Sequence, residues 1–246
     1  MKSWEVTKMH FRPMPIVEET NDKSLMTYLM GMGTTIPIGV YIWLVEGASK
    51  DVLIDTGCSA DYLNSIGFPS EQISTQEKEL EKVGLTVDDI DMVILTHLHS
   101  DHAKDAEKFK NATFVVQKSE LEFAANPHPI QAGWFAELPQ DRLEVVDGDK
   151  EILEGIRVIH TPGHTPGGQS ILIETDNGST CLCGLCTILE NLYPPEELRQ
   201  MGVRAITPAI HTNAMQAYDS LIKISELSDQ IVALHDISYK SVERIP

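Results

Sequence analysis

The chain has 246 residues, 42% of them hydrophobic and 23% charged, a balance that suits a globular domain and excludes a disordered or fibrous one. Lys and Arg number 19 against 37 Asp and Glu, and the formal charge of −18 repels phosphate backbones, so nucleic acid is excluded as an expected partner. No apolar stretch approaches the roughly 20 residues needed to span a bilayer, and Met1-Lys2-Ser3-Trp4-Glu5-Val6 lacks the apolar centre of a signal peptide. The expected setting is therefore the cytoplasm, without a membrane partner.

In chain order, the first 40 residues are hard to read. Met26, Tyr28, Leu29, Met30, Met32 and Ile36 are interrupted by Gly31, Gly33 and Pro37, which suggests an adaptable loop serving either as core packing or as a substrate-facing wall. Residues 40–46 are rich in β-branched and aromatic side chains. A turn at residues 47–50 and the apolar run 52–54 complete a hairpin signal that ends in Asp55-Thr56-Gly57-Cys58. Residues 75–83 read as a helix stopped by Gly84, and 92–95 as a buried strand. The pattern then predicts a helix over 104–110, a strand over 113–117, and a helix over 120–125 with Ser119 as its N-cap. Short strands follow at 143–146 and 156–159. A second hairpin spans 170–174 and 181–183 across Asn177-Gly178, a dipeptide suited to tight turns. An amphipathic helix over 214–227 and a strand over 231–234 complete the chain. Two similar halves and no linker between them point to a single domain over residues 1–246, built as a pseudo-duplicated sandwich.

The densest chemistry lies at Thr96-His97-Leu98-His99-Ser100-Asp101-His102, where four potential metal ligands fall within six residues directly after an apolar strand. Imidazole with carboxylate suits zinc or a similar divalent ion. Alternation along an extended segment places His97 and His99 on one side, able to share an ion. Asp101 and His102 follow where the chain turns and can serve a neighbouring position. His164, in the loop His160-Thr161-Pro162-Gly163-His164-Thr165-Pro166-Gly167-Gly168, and His235, at a strand end, are candidates for the remaining places. His160 reads as a buried, hydrogen-bonded histidine, and His10 and His128 as surface or structural residues. Of Cys58, Cys181, Cys183 and Cys186, the last three lie within six residues, too close to cross-link distant elements, so a disulfide framework is not expected and the four read as reduced thiols.

THLHSDH matches the HxHxDH motif of the metallo-β-lactamase superfamily. With Leu53-Ile54-Asp55-Thr56-Gly57, HTPGHTPGGQS, Glu190-Asn191-Leu192 and His235-Asp236, the chain resembles the N-acyl homoserine lactonase family within it. The resemblance covers roughly residues 40–240. It implies an α/β fold, the αββα sandwich, with two zinc ions between the sheet edges, iron or manganese being the alternatives. By position it implies His97, His99 and His164 as ligands of one ion, Asp101, His102 and His235 as ligands of the other, and Asp55 as a residue that orients a ligand histidine.

Two departures from the family pattern stand out. A bridging Asp, commonly in Gly-Asp, is absent from residues 181–186. Leu185 takes its place, and Cys186 is the expected substitute ligand of the second ion, with Cys183 behind it and an unfilled place as the other outcome. The Tyr that polarises the substrate carbonyl in the family is also absent from Thr187-Ile188-Leu189, leaving Tyr193 and His211 as candidates for that role. Ser100 and Lys104-Asp105 also differ from the usual residues. The implied reaction is hydrolysis of a lactone or related cyclic ester by a metal-bound hydroxide, since a metal lowers the pKa of its water to about 7, with Asp101 passing a proton to the leaving alcohol. A thioester, cyclic amide or β-lactam is the alternative substrate, and a catalytically weak metal-binding protein a further one. The expected partner is a small molecule, and a homodimer is compatible with the sequence.

Overall fold

The structure, a computed structural model, describes residues 8–246; the Met1 to Val6 segment read above for a targeting signal lies outside them. Among the described residues no helix is long and apolar enough to cross a membrane.

Among the described residues, twelve strands form two sheets. The first contains β1 (His10–Asp22), β2 (Thr35–Glu46), β3 (Val52–Ile54), β4 (Ser70–Gln72), β5 (Met92–Ile94), β6 (Thr113–Gln117) and β7 (Leu143–Val146), in the order β4-β1-β2-β3-β5-β6-β7. The second contains β8 (Lys150–Leu153), β9 (Ile156–His160), β10 (Gln169–Thr175), β11 (Gly178–Leu182) and β12 (Gln230–Val232), in the order β12-β11-β10-β9-β8. The helices are α1 (Ala60–Ser65), α2 (Gln76–Glu81), α3 (Ser100–Ala103), α4 (Lys118–Ala125), α5 (Leu189–Leu192), α6 (Glu196–Gln200) and α7 (Ala214–Leu227).

The central strands β2, β3, β5, β6 and β10 are buried on both faces, which is why they read as nearly continuous apolar runs. Alternate residues of β2 separate two cores. Tyr41, Trp43 and Val45 meet Ile156, Val158, Ile171 and Ile173 of the second sheet, whereas Ile42 and Leu44 join Leu53, Val93 and Phe114 beneath Leu63 and Leu80 of the helices. On the far side of the second sheet, Leu172, Cys181 and Cys183 pack with Leu221 and Ile224 of α7. The layers run helix, sheet, sheet, helix, as expected. All four cysteines are free and buried, and Cys181 and Cys183 serve there as small apolar side chains.

Several local expectations need correction. β1 was not legible in the sequence: Pro13 and Pro15 break its pattern, yet both are accommodated because one side of the strand is bordered only by the short β4. The helix expected over 104–110 begins earlier, at Ser100, and ends at Ala103, followed by a 3-10 turn at Ala106–Lys108. Ser119 lies inside α4, whose N-cap is Gln117. The acidic segment before residue 156 forms β8.

Topology brings the chemistry to one edge. β3 and β5 are adjacent and parallel, so Asp55 and Thr96-His97 emerge side by side at their carboxyl ends. Gln169, which opens β10, donates from its backbone N to Thr96 O at 2.8 Å and from Nε2 to Leu95 O at 2.7 Å, tying the second sheet to the same point.

Candidate functional site

Asp55 holds the first half of the site together. Its φ of +60° is a left-handed conformation that Asp tolerates better than most residues. Buried completely, its carboxylate accepts from Thr96 N at 2.7 Å, from Thr96 Oγ1 at 2.8 Å and from His102 Nδ1 at 2.7 Å. Since Thr96 Oγ1 spends its proton on Asp55, it accepts from His97 Nδ1, 3.1 Å away. His164 Nδ1 donates to Ile210 O at 2.6 Å and His235 Nδ1 to Gly39 O at 2.9 Å. With each Nδ1 occupied in this way, the Nε2 lone pairs of His97, His102, His164 and His235 turn inward.

The loops carrying these rings are pinned by a residue that sequence reasoning missed. Glu120, buried in α4, accepts from Leu98 N at 2.9 Å and from Gly167 N at 3.0 Å, joining the two histidine loops. A Cβ on Gly167 would lie 2.1 Å from Glu120 N, and one on Gly163 2.2 Å from Ala217 N. The glycines of HTPGHTPGG therefore let α4 and α7 approach closely, and the doubled glycine was the only trace of Glu120's role in the sequence.

The ligand atoms of His97, His99 and His164 lie within 4.8 Å of one another, as do those of His97, Asp101 and His102. Asp101 Oδ2 is 2.9 Å from His102 Nε2 and 3.9 Å from His235 Nε2. These donors fit divalent ions on two counts. His97 Nε2 and His164 Nε2 face each other at 3.0 Å, two lone pairs with no proton to share. His99 Nε2 is buried without a hydrogen-bond partner.

Electrostatics agree. Burial, then neighbouring imidazoles, hold His97 and His164 well below the usual histidine range. Burial also brings His99 and His235 down to about 4. Burial presses on His102 in the same sense, but Asp101 and Asp55 on either side outweigh it and raise it to about 10. For Asp101 burial acts upward, yet His102 and His235 keep it well below the usual carboxylate range. Without metal the site thus holds four neutral imidazoles, His97, His99, His164 and His235, beside a His102 imidazolium paired with the ionised Asp101, and a metal ion would take the place of the His102 proton.

A cavity opens onto this cluster. His99, Ser100, Asp101, His164 and His235 form its polar end, and Leu25, Met26, Ile38, Leu63, Ile66 and Phe68 its apolar wall. The hard-to-read segment near residue 26 thus splits its roles. Met26 is buried against the cavity, while Leu29 and Met32 are exposed. Ser100 leaves room that Tyr62 fills, its hydroxyl 2.8 Å from Ser100 Oγ.

Four expected participants stand elsewhere. Cys186 lines the cavity but belongs to neither ligand group; its Sγ sits 3.9 Å from Met26 Sδ in a cluster with Ile38 and Ile188, and burial pushes its thiol pKa up. Cys183 and Leu185 point into the core under α7. Tyr193 is half exposed and donates to Ile231 O at 3.4 Å, because it closes α5 on the side of β12 rather than facing the cavity. His211 donates to Pro208 O at 2.7 Å and stands edge-on to Tyr28; its neighbour Ile210, whose carbonyl holds His164, is the one that faces inward. Of the other histidines, His160 donates to Pro166 O at 3.0 Å, as expected of a hydrogen-bonded residue. His10 pairs with Glu46, and His128 caps the 3-10 turn Pro129–Gln131.

A helix–sheet–sheet–helix sandwich with a histidine-rich, two-position metal site at its sheet edge defines a metal-dependent hydrolase. The family model described as the metallo-beta-lactamase superfamily matches residues 35–234, and the chain belongs to that superfamily. An N-acyl homoserine lactonase of Bacillus thuringiensis subsp. kurstaki is 31% identical over 173 residues, 65% of this chain and 68% of the relative. Among solved structures, an N-acyl homoserine lactone hydrolase with its product N-hexanoyl-L-homoserine at the catalytic metal centre aligns with a TM-score of 0.73 at 27% identity, covering 96% of this chain and 95% of that one. A quorum-quenching N-acyl homoserine lactone lactonase aligns with a TM-score of 0.74 at 27% identity, covering 98% of each chain.

Proposed function

We propose that this hydrolase opens the lactone ring of N-acyl homoserine lactones, with zinc as its metal. The observation that carries the reading is a cavity lined both by the histidine-rich cluster, where a carbonyl would meet the metal site, and by apolar side chains suited to an acyl tail. The relatives' lactonase activity supports it, and imidazole-rich donors with one carboxylate favour zinc over magnesium or calcium.

His97, His99 and His164 would hold one ion, and Asp101, His102 and His235 the other. When bound, such ions supply Lewis acidity for a carbonyl and lower the pKa of water. The protein's own residues do the rest. Leu25, Met26 and Phe68 exclude water from the acyl side, which strengthens electrostatic interactions at the polar end. Asp101, whose side chain is 24% exposed at the cavity, is the carboxylate placed to take up a proton at Oδ and hand it to the leaving alkoxide.

The test is a substrate panel with zinc-loaded protein: N-acyl homoserine lactones of increasing chain length, an unsubstituted lactone, a thioester and a β-lactam. The expected result is the highest kcat/KM for acyl lactones, rising with chain length. Faster turnover of the thioester or β-lactam would overturn the assignment.

A further inference from the structure

Glu19 is a buried carboxylate with too few partners. It lies in β1 opposite Ile38 of β2, is 5% exposed, and lines the cavity together with His99, Asp101 and His235. Asn21, itself buried, donates from Nδ2 to Glu19 Oε2 at 2.8 Å. Among the described residues that is the only hydrogen bond to this carboxylate, so Oε1 is left without a donor at the cavity wall. A buried carboxylate needs several donors, a cation beside it, or a proton of its own. No Lys or Arg lines the cavity to serve as that cation.

The surroundings of Glu19 make the requirement sharper. Burial first, and then the Asp101 charge, raise its pKa to about 7 against the smaller opposing effects of Asn21 and His102. Two carboxylates therefore face one enclosed space, and each is destabilised by the other unless positive charge lies between them. The strand pairing places Glu19 on the correct wall. Its neighbour Glu18 pairs with Gly39, whose carbonyl holds His235, so the backing of His235 and the side chain of Glu19 belong to one β1–β2 ladder.

The ligand set has a matching deficit. Two divalent ions among His97, His99, His102, His164 and His235 are offset by Asp101 alone, and residues 181–186 add no carboxylate. Glu19, like Cys186, belongs to neither group of closely spaced donors, and we propose that it supplies the second carboxylate of the metal centre across a bridging water, acting through Oε1 on the ion of the Asp101–His102–His235 set. It stabilises that ion by charge and, by fixing it against β1, gives the second position an anchor that the segment 181–186 does not provide. The inference rests on metal dependence and is independent of which ester is cleaved.

The test is zinc binding to chelator-stripped protein, read by calorimetric titration and by elemental analysis after dialysis, in wild type, Glu19→Gln and Glu19→Asp. Glu19→Gln keeps the shape and an acceptor for Asn21, so the metal-free melting temperature should not fall. The expected result is unchanged affinity for the first ion and about 10- to 100-fold weaker binding of the second in Glu19→Gln, with Glu19→Asp between it and wild type. Equal affinities for both ions in all three proteins would overturn the proposal. So would equal weakening of both ions together with a lower metal-free melting temperature, which marks a general packing defect. A change confined to KM, with both ions bound normally, would also overturn it and assign Glu19 to substrate contact.

Discussion

On one side of the cavity His97, His102, His164 and His235 are each held from behind by a second contact, to Thr96, Asp55, Ile210 or Gly39. On the other side Met26, Ile38, Cys186 and Ile188 hold one another by apolar packing. The difference separates chemistry from selection. A ring fixed by a directional bond keeps its lone pair aimed to within a narrow angle, whereas a packed apolar wall can change size without moving any donor. Substitutions should therefore act on metal and kcat at the first wall, and on KM and substrate length at the second.

The sharpest way to break this distinction is at a ligand. His164→Ala should leave the His97–His99–His164 group one donor short; the expected outcome is loss of an ion by elemental analysis and activity below detection. Full activity would remove that group from the site. Next comes Asp55→Asn, which keeps a side chain tolerant of the positive φ but replaces the acceptor facing His102 Nδ1. Metal affinity or kcat should fall by about 10- to 100-fold, with KM little changed, and a KM effect alone would blur the two walls.

Acid should distinguish the walls in the metal-free protein. His99 and His235 fall from an ordinary value of 6.5 to about 4 on folding, so the unfolded chain binds protons first. Their contribution is fully present above pH 6.5 and is lost as pH falls toward 4, at about 1.4 kcal/mol per pH unit for each ring. His102 works oppositely: raised to about 10, it contributes fully below pH 6.5 and loses that contribution as pH rises toward 10. Denaturant midpoints measured from pH 4 to 10 should thus show a steep acid limb and a shallower alkaline decline. Bound zinc should raise the midpoints near neutral pH and steepen the acid limb, because protons compete with it for the same nitrogens and its contribution is lost as pH falls.

The smallest effects belong to the packed wall. Met26→Ala removes apolar surface from the acyl side. It should move the preferred acyl chain toward greater length, with kcat/KM ratios between neighbouring lengths changing about fivefold, in line with roughly 0.8 kcal/mol per buried methylene. Cys186→Ala should leave metal content unchanged and alter KM by less than that. A fall in bound zinc would instead place Cys186 among the ligands.

How much of this was legible in the sequence differs between the same two walls. Residues 97–102 declare themselves because four metal-binding side chains are local in sequence, following a strand that must end where they begin. Tyr193 and His211, by contrast, were read from their distance along the chain to the site, and distance along a loop does not say which way a side chain faces. Ile210 and His211 are adjacent, yet one lines the cavity and the other turns to Tyr28. Glu19 left no signal, because an acidic residue in a strand interrupted by Pro13 and Pro15 looks like exposed surface until β2 and the cavity cover it.

By itself, the sequence determined the superfamily and pointed to six candidate donors, five of them in two local motifs and His235 at a strand end. Those features are short-range: hydrophobic periodicity, turn residues and closely spaced donors. Tertiary structure alone decided that Glu120 clamps the two histidine loops, that Leu185 faces the core while Cys186 faces Met26, and that Glu19 shares the cavity with Asp101. Each of those results depends on which face of one element meets another far along the chain, and burial, not local pattern, turns such a meeting into charge, strain or a bond.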